Sequence, residues 1–434
     1  MRLGLGTGVG LVAANMIGAG VLLSTGFMAQ EMGPGAILLA WVVGAALALA
    51  GARAYAEVSR IVPRSGGEYR YLSELMHPSL GYVAGWASLL VGFSAPIAVD
   101  AIAAGAFAQT LSRSLDPRWV GAGLILALTA MHMVGLKVSA RGQNLLAAVK
   151  AVLLIGFVGL GLLAGSNRWP SWTPPVPRAG FPLAAFIGSL FYIAFAFSGW
   201  NAAAYASEEF REPKRDVPRA MIIGCALVAA LYFAVNWVFV ANLTPADAAV
   251  VFTYETERVT LGHLIATRLM GPGAGRAMSA VLILMFVSAM SAMMFIGPRV
   301  YAAMAKDGFL PKAFAGREGR PPAASLLLQA AVALAIVFTH DLRQALSNVG
   351  AILTLFSALT VAGLFRVYFA AGEKLPKPPM SSLVAAGVYI ASAALMLYFG
   401  FKDKSSMLIW WMSGVLAAAL AAYGVTRAAG GSKS

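Results

Sequence analysis

The sequence predicts an all-α polytopic membrane protein with twelve transmembrane helices. Three observations carry this. The 434 residues are 59% hydrophobic and only 12% charged, more apolar surface than a water-soluble fold hides. Apolar stretches of about 20 residues, enough to cross a bilayer, recur along the whole chain. The charges gather between those stretches. The net charge of +14 falls mainly in short connections, so it reads as membrane orientation and contact with lipid, with no nucleic-acid partner implied.

The candidate spans run roughly over 3–28, 35–59, 79–112, 117–137, 141–165, 181–207, 219–242, 274–305, 322–339, 343–371, 381–401 and 405–427. All read as helices, because lipid offers no partner to irregular backbone. Span 1 lacks a small-residue cleavage site and is followed by further apolar segments, so it reads as a helix and not a signal peptide. It contains "NMIGAGVLLSTG", in which Gly18 and Gly20 flank Ala19. A glycine inside a helix costs about 1 kcal/mol relative to alanine. Span 3 looks long and carries Asp100. That residue lies roughly 28 Å up the helix at 1.5 Å per residue, level with or slightly above the span 1 glycines.

Span 5 carries Lys150 in "NLLAAVKAVLLIGFVGLG", about 13 Å from the start of the helix. Span 6 reads "FYIAFAFSGWNAAAYASEEF" and places Ser198 and Gly199 where span 1 places Gly18 and Gly20. Glu208 and Glu209 close it, with a partner expected among Arg53, Arg60, Arg64 and Arg215. Span 7 holds Cys225, the single cysteine, which excludes an intrachain disulfide. The connection over 243–273 is the longest, and its "ETERVTLGHLIATRLM" suits a short surface helix. Span 8 is long again. His77, His132, His263 and His340 are scattered without metal spacing and read as ordinary loop or helix-end residues. Spans 11 and 12 carry no usable motif.

Twelve spans put both termini on one side. Of the 32 lysines and arginines, 21 fall on that side and 10 on the other, with Lys150 inside a span. This bias places both termini in the cytoplasm. The breaks in spans 1 and 6, and the long spans 3 and 8, are five positions apart. That is the pattern of two five-helix repeats of inverted topology.

An interrupted helix leaves amides and carbonyls unpaired, at a cost of a few kcal/mol in a dry membrane. A zwitterion offsets that cost. The amides opening the second half of span 1 attract a carboxylate, helped by the positive helix end. Carbonyls at the end of a half-helix attract an ammonium. The alternative is that the glycines serve close helix packing, as most of the 46 glycines must.

Four motifs then resemble a known family, the amino acid–polyamine–organocation (APC) transporters. "IGAGVL" is similar to that family's I-G-[SA]-G-[IV] break. "AEVSRIVPRSGGEYRYL" is similar to A-E-L-x-x-x-x-P-x-S-G-G-x-Y-x-Y-L. "AFSGWNAAAYASEEFREPKRDVPRAM" resembles the family's sixth span and its exit. "PRVYAAMAKDGFLPKAF" resembles the segment after its eighth. Together they cover most of residues 10–320. The "SGWN" form looks closest to bacterial relatives of the L-amino acid transporters.

The resemblance implies the LeuT-type fold. Residues 1–371 would form a ten-helix transport core, with inverted repeats over about 1–165 and 181–371. Residues 381–427 would be two peripheral helices and 428–434 a cytoplasmic tail. The implied activity is amino acid transport across the cytoplasmic membrane, without a cofactor, with a proton or an exchanged amino acid as the coupled partner. Carried over residue by residue, the amides of Ala19, Gly20 and Val21 would bind the carboxylate. The carbonyls of Ile17, Phe195, Ala196 and Ser198 would bind the ammonium. Gly18 and Gly199 open the two breaks, and the side chain of Phe195 would close over the substrate. Lys150 would reach the Gly18 carbonyl region and Ser291, where sodium-coupled members of the fold bind their ion. Snorkelling to the interface is its alternative. The resemblance assigns Asp100 nothing: it either recognises a cationic group or wets an outer vestibule, and the vestibule is the expectation.

Rival classes lack their marks. There is no H-E-x-x-H, no phosphate loop and no evident Ser–His pair within the membrane for an enzyme. A channel would want a pore loop or charged ring. A sodium symporter of the same fold is the remaining alternative. The side-chain pocket is expected among spans 1, 3, 6, 8 and 10.

Overall fold

A computed structural model describes residues 3–29, 31–172, 180–244, 261–316, 322–339, 342–370 and 375–403, with isolated positions between 414 and 424. Most of the twelfth predicted span, the 428–434 tail, His340 and residues 255–260 of the predicted surface helix lie outside them. The described chain is helical. Among the described residues nine helices are long and apolar enough to cross a membrane, and two shorter apolar helices, Leu183–Ala196 and Ala323–Thr339, accompany them. These eleven coincide with the first eleven predicted spans.

Span 1 is two helices, α1 (Leu5–Met16) and α2 (Ala19–Met28), separated by Ile17 and Gly18 in extended backbone. α3 (Pro34–Ile61) starts on a proline at its first turn, where a missing N–H costs nothing. After a loop comes the short α4 (Glu68–Leu75). The third span is continuous but not regular: α5 (Pro78–Ala87) passes through one π-helical stretch, Ser88–Phe93, into α6 (Ser94–Leu111). Next come α7 (Pro117–Val134), α8 (Leu136–Ala164) and α9 (Leu183–Ala196). The chain turns irregularly through Phe197–Asn201 before the single turn of α10 (Ala202–Tyr205).

The second half continues with α11 (Pro213–Ala241) and α12 (Leu261–Met270), the latter the described part of the predicted surface helix. Its His263 is half-buried beside Ser279, and burial holds its imidazole below the usual histidine range. α13 (Pro272–Lys306), α14 (Ala323–Thr339), α15 (Leu342–Phe369) and α16 (Met380–Asp403) complete the described helices. The third and eighth spans are the longest, at 34 and 35 residues when α13 is counted whole. The breaks lie in the first and sixth.

α1 packs on α11, α11 on α3, and α6 on both α7 and α13. Lipid supplies no hydrophobic drive between helices, so contact area has to come from close approach. One stripe of the buried surface of α3 is accordingly small, with Ala40, Gly44, Ala48 and Ala52 facing neighbours. α16, predicted to be peripheral, packs along α3 and α15.

Candidate functional site

The two breaks meet at the centre of the molecule. α1 ends with Ala14, Met16 and Ile17 carbonyls that no following helical N–H reaches. Lys150, on α8, is buried at 1% exposure, and its Nζ donates to the Ala14 carbonyl at 2.8 Å and the Ile17 carbonyl at 2.6 Å. Snorkelling is therefore not what this lysine does. A buried ammonium needs several acceptors, and the helix end supplies two. The hydroxyl of Tyr232, on α11, lies 2.6 Å from the Met16 carbonyl and 2.9 Å from the Ala196 carbonyl, so one proton serves both breaks.

This revises the predicted ammonium site. Of its four carbonyls, Ile17 accepts from Lys150, Ala196 from Tyr232, and Phe195 from the Ser198 N–H at 3.0 Å. An orphan carbonyl at this depth is too costly to leave open, and each of these retains only its second lone pair.

Gly18 and Gly20 divide between the two readings. Gly18 is extended, and a Cβ there would meet Ala289 at 3.3 Å and the Asp100 carboxylate at 3.5 Å. Gly20 sits inside the first turn of α2, where a Cβ would stand 2.4 Å from the Ala196 Cα. It is a packing glycine. The amides of Ala19, Gly20 and Val21 open α2, yet Gly20 presses on Ala196 of α9, and neither Gly20 nor Val21 lines the cavity beside the breaks. Gly199 carries the conformational demand: its φ is 96°, and a Cβ would lie 2.9 Å from the Asn15 backbone.

A cavity of about 880 Å³ of empty space, its mouth included, lies beside the breaks. The span 6 turn forms one wall, from Phe197 to Asn201, with Asn15 packed against it at Gly199. Of the predicted site residues whose side chains are described, only Ser198 and Gly199 line it. Phe195 is buried beside Gly350 and does not line it. The walls include all five expected spans, through Asn15, Phe93, Phe197, Met293 and Leu353, and add two more. α3 contributes Gly44 and Leu47, and α16 contributes Tyr389, Ser392 and Met396. Glu68 lines the cavity too, a residue inside the second motif that nothing in the sequence marks as a wall.

Asp100 is not in a wet vestibule: it is 1% exposed, and its carboxylate lies beside Gly18, 3.5 Å from where a Cβ would stand. Straight helical counting missed the π-helical stretch before it. A π-turn adds a residue and rotates the rest of the helix by roughly 100° at 3.6 residues per turn. On the activity that the four motifs imply, Asp100→Asn is expected to lower uptake of leucine and lysine alike in proteoliposomes. Their ratio should shift by less than the roughly tenfold that a 1.4 kcal/mol contact confers.

Ser291 does not meet Lys150. Its hydroxyl is 3.0 Å from His132 Nε2, so His132 is not an ordinary helix-end residue, and a buried Ser–His pair does exist. Both are nearly inaccessible, at 0% and 1% exposure, and neither lines the cavity.

Charge pairs tie together the elements that flank the N-terminus. Glu209 takes Arg299 in a fork, at 2.6 and 3.2 Å. The expected partners are engaged elsewhere: Arg53 and Arg60 with Glu57, Arg64 with Glu74, Arg215 with Glu212. Leu3 bridges to Phe210 through backbone bonds to Glu209 and Arg211. Tyr69 and Arg70 both hold Asp307, at 2.6 and 2.7 Å. Burial, then the bond to Asp307, holds the Tyr69 phenol well above the usual tyrosine range, so it stays a donor.

A family model described as amino acid permease matches residues 3–420. The mouse "Large neutral amino acids transporter small subunit 2" is 26% identical over 423 residues, covering 93% of this chain and 77% of the relative. The mouse "Asc-type amino acid transporter 1" is 24% identical over 422 residues, with the same two coverages. The rabbit "b(0,+)-type amino acid transporter 1" is 26% identical over 383 residues, 86% of this chain and 77% of the relative.

Proposed function

Because the chain belongs to the amino acid permease family, whose members are membrane transporters and not enzymes, we propose that it is a secondary carrier moving amino acids across the cytoplasmic membrane by alternating access. In this reading the fold is LeuT-type, with inverted repeats, twelve spans and both termini in the cytoplasm. Its support is the recurrence of a broken helix and a long helix five elements apart.

The observation that carries the mechanism is the ammonium of Lys150 on the Ala14 and Ile17 carbonyls. Carbonyls at the end of a broken half-helix suit a bound sodium ion. Here a fixed lysine charge holds them and repels a second cation. Transport is therefore sodium-independent, coupled to a proton or to a counter-moving amino acid, with Lys150 and Asp100 as the charged pair beside the break. In the described state α2 rests on Ala196. The carboxylate site at Ala19, Gly20 and Val21 forms when α2 and α9 part, and the cavity behind Ser198 and Gly199 is the route away from it.

A panel of amino acids in proteoliposomes tests this, with counterflow. The expected result is saturable uptake, accelerated by amino acid on the opposite side and unchanged when choline replaces sodium. Both α-groups should be required. Decarboxylated or N-acylated analogues that compete as strongly as the parent would refute recognition at paired breaks, and sodium-dependent uptake would refute the role given to Lys150.

A further inference from the structure

Glu68 is the one charged side chain among the described residues lining the cavity, and the proposed transport assigns it no role. It opens α4 and is 5% exposed. Its Oε1 accepts from the Tyr55 hydroxyl and from Asn201 Nδ2, both at 2.6 Å, and its Oε2 from the Tyr205 hydroxyl at 2.5 Å. Among the described residues it makes no ion pair. A carboxylate has about four acceptor positions. Three are filled by neutral donors, which leaves one on Oε2 and a full negative charge at a cavity wall.

The surroundings select the kind of cation. Tyr55 and Trp200 meet edge to face at 4.8 Å, and Phe93 and Tyr205 at 5.2 Å. Trp200, Phe93 and Tyr205 all line the cavity. Ring faces attract ammonium groups, and Leu47 and Leu190 offer apolar wall to methylenes. An inorganic cation needs several oxygen ligands, whereas the two tyrosine hydroxyls turn their hydrogens toward Glu68. We infer that the cavity holds a second binding position, for an alkylammonium group, with Glu68 as its counter-charge. The group is either the side chain of a basic amino acid or a free amine, and the first source rests on the proposed transport function.

The test is equilibrium binding to the full chain in detergent, with L-leucine, L-lysine and n-butylamine as probes. Wild type is expected to bind lysine, and Glu68→Gln to weaken it at least roughly tenfold more than leucine, the scale of one charge-assisted bond. Butylamine binding that depends on Glu68 identifies a free amine as sufficient. Dependence of lysine alone identifies the side chain of an amino acid held elsewhere. Either supports the inference. Equal losses for lysine and leucine, or no loss for either cation, overturn it and make Glu68 a tether between α4 and span 6. Should Glu68→Gln fail to fold, Tyr205→Phe keeps the carboxylate and the ring while freeing an acceptor. Its cation binding must then equal or exceed wild type, and weaker binding overturns the inference. Wild type that binds leucine but neither cation sinks this inference alone. Wild type that binds butylamine but no amino acid sinks the transport proposal instead.

Discussion

Lys150→Ala is expected to abolish transport while retaining much of the binding. Its Nζ makes two short bonds, to the Ala14 and Ile17 carbonyls, from a position with 1% exposure. Hydrogen bonds to a charged group contribute about 1.5–3 kcal/mol each. Removing the donor leaves two carbonyls unsatisfied at mid-depth. The lysine ties α8 to the broken end of α1, so the loss falls on the coupling of those two helices during rocking of the bundle. Lys150→Met keeps most of the volume without the charge and separates the electrostatic effect from packing. The measurement is uptake against equilibrium binding of the same amino acid. Wild-type uptake by Lys150→Ala would reduce the residue to a filler of carbonyls.

Gly20→Val is expected to cost both folding and binding. A Cβ at Gly20 would stand 2.4 Å from Ala196 Cα, 2.6 Å from its Cβ and 2.9 Å from its N. Backbone cannot swing aside as a flexible side chain does, so α2 and α9 must separate. Overpacking of this kind costs about 1–3 kcal/mol even where neighbours can adjust. From the sequence alone, binding is expected to suffer more than folding, because the amide was assigned to a ligand. The contact with Ala196 reverses that order. Thermal unfolding in detergent, read beside ligand affinity, decides it. A valine variant that unfolds like wild type but binds weakly would restore the first expectation.

Some of this molecule was legible in residues 1–434 without coordinates. Span positions follow from runs of apolar residues, because the bilayer demands a length and a satisfied backbone. The breaks were legible because glycine in a helix interior is a local cost with a local signature. Lys150 stood out because a charge in such a run is expensive wherever it points. The four motifs carried the family.

What the sequence by itself determined is therefore local: which segments span, where two of them break, and which charges lie at depth. The tertiary structure alone decided the pairings. Glu209 takes Arg299, 90 positions away, over arginines nearer in sequence. Glu68 is held by Tyr55, Asn201 and Tyr205, and Ser291 by His132. One π-helical stretch carries Asp100 inward, and α16 walls a cavity it was expected to stand outside. The reason is physical. Helices in lipid associate through close contact of small residues and scattered polar bonds, with no hydrophobic pattern to announce the partner face. A small residue or buried hydroxyl looks the same in sequence whichever helix it meets.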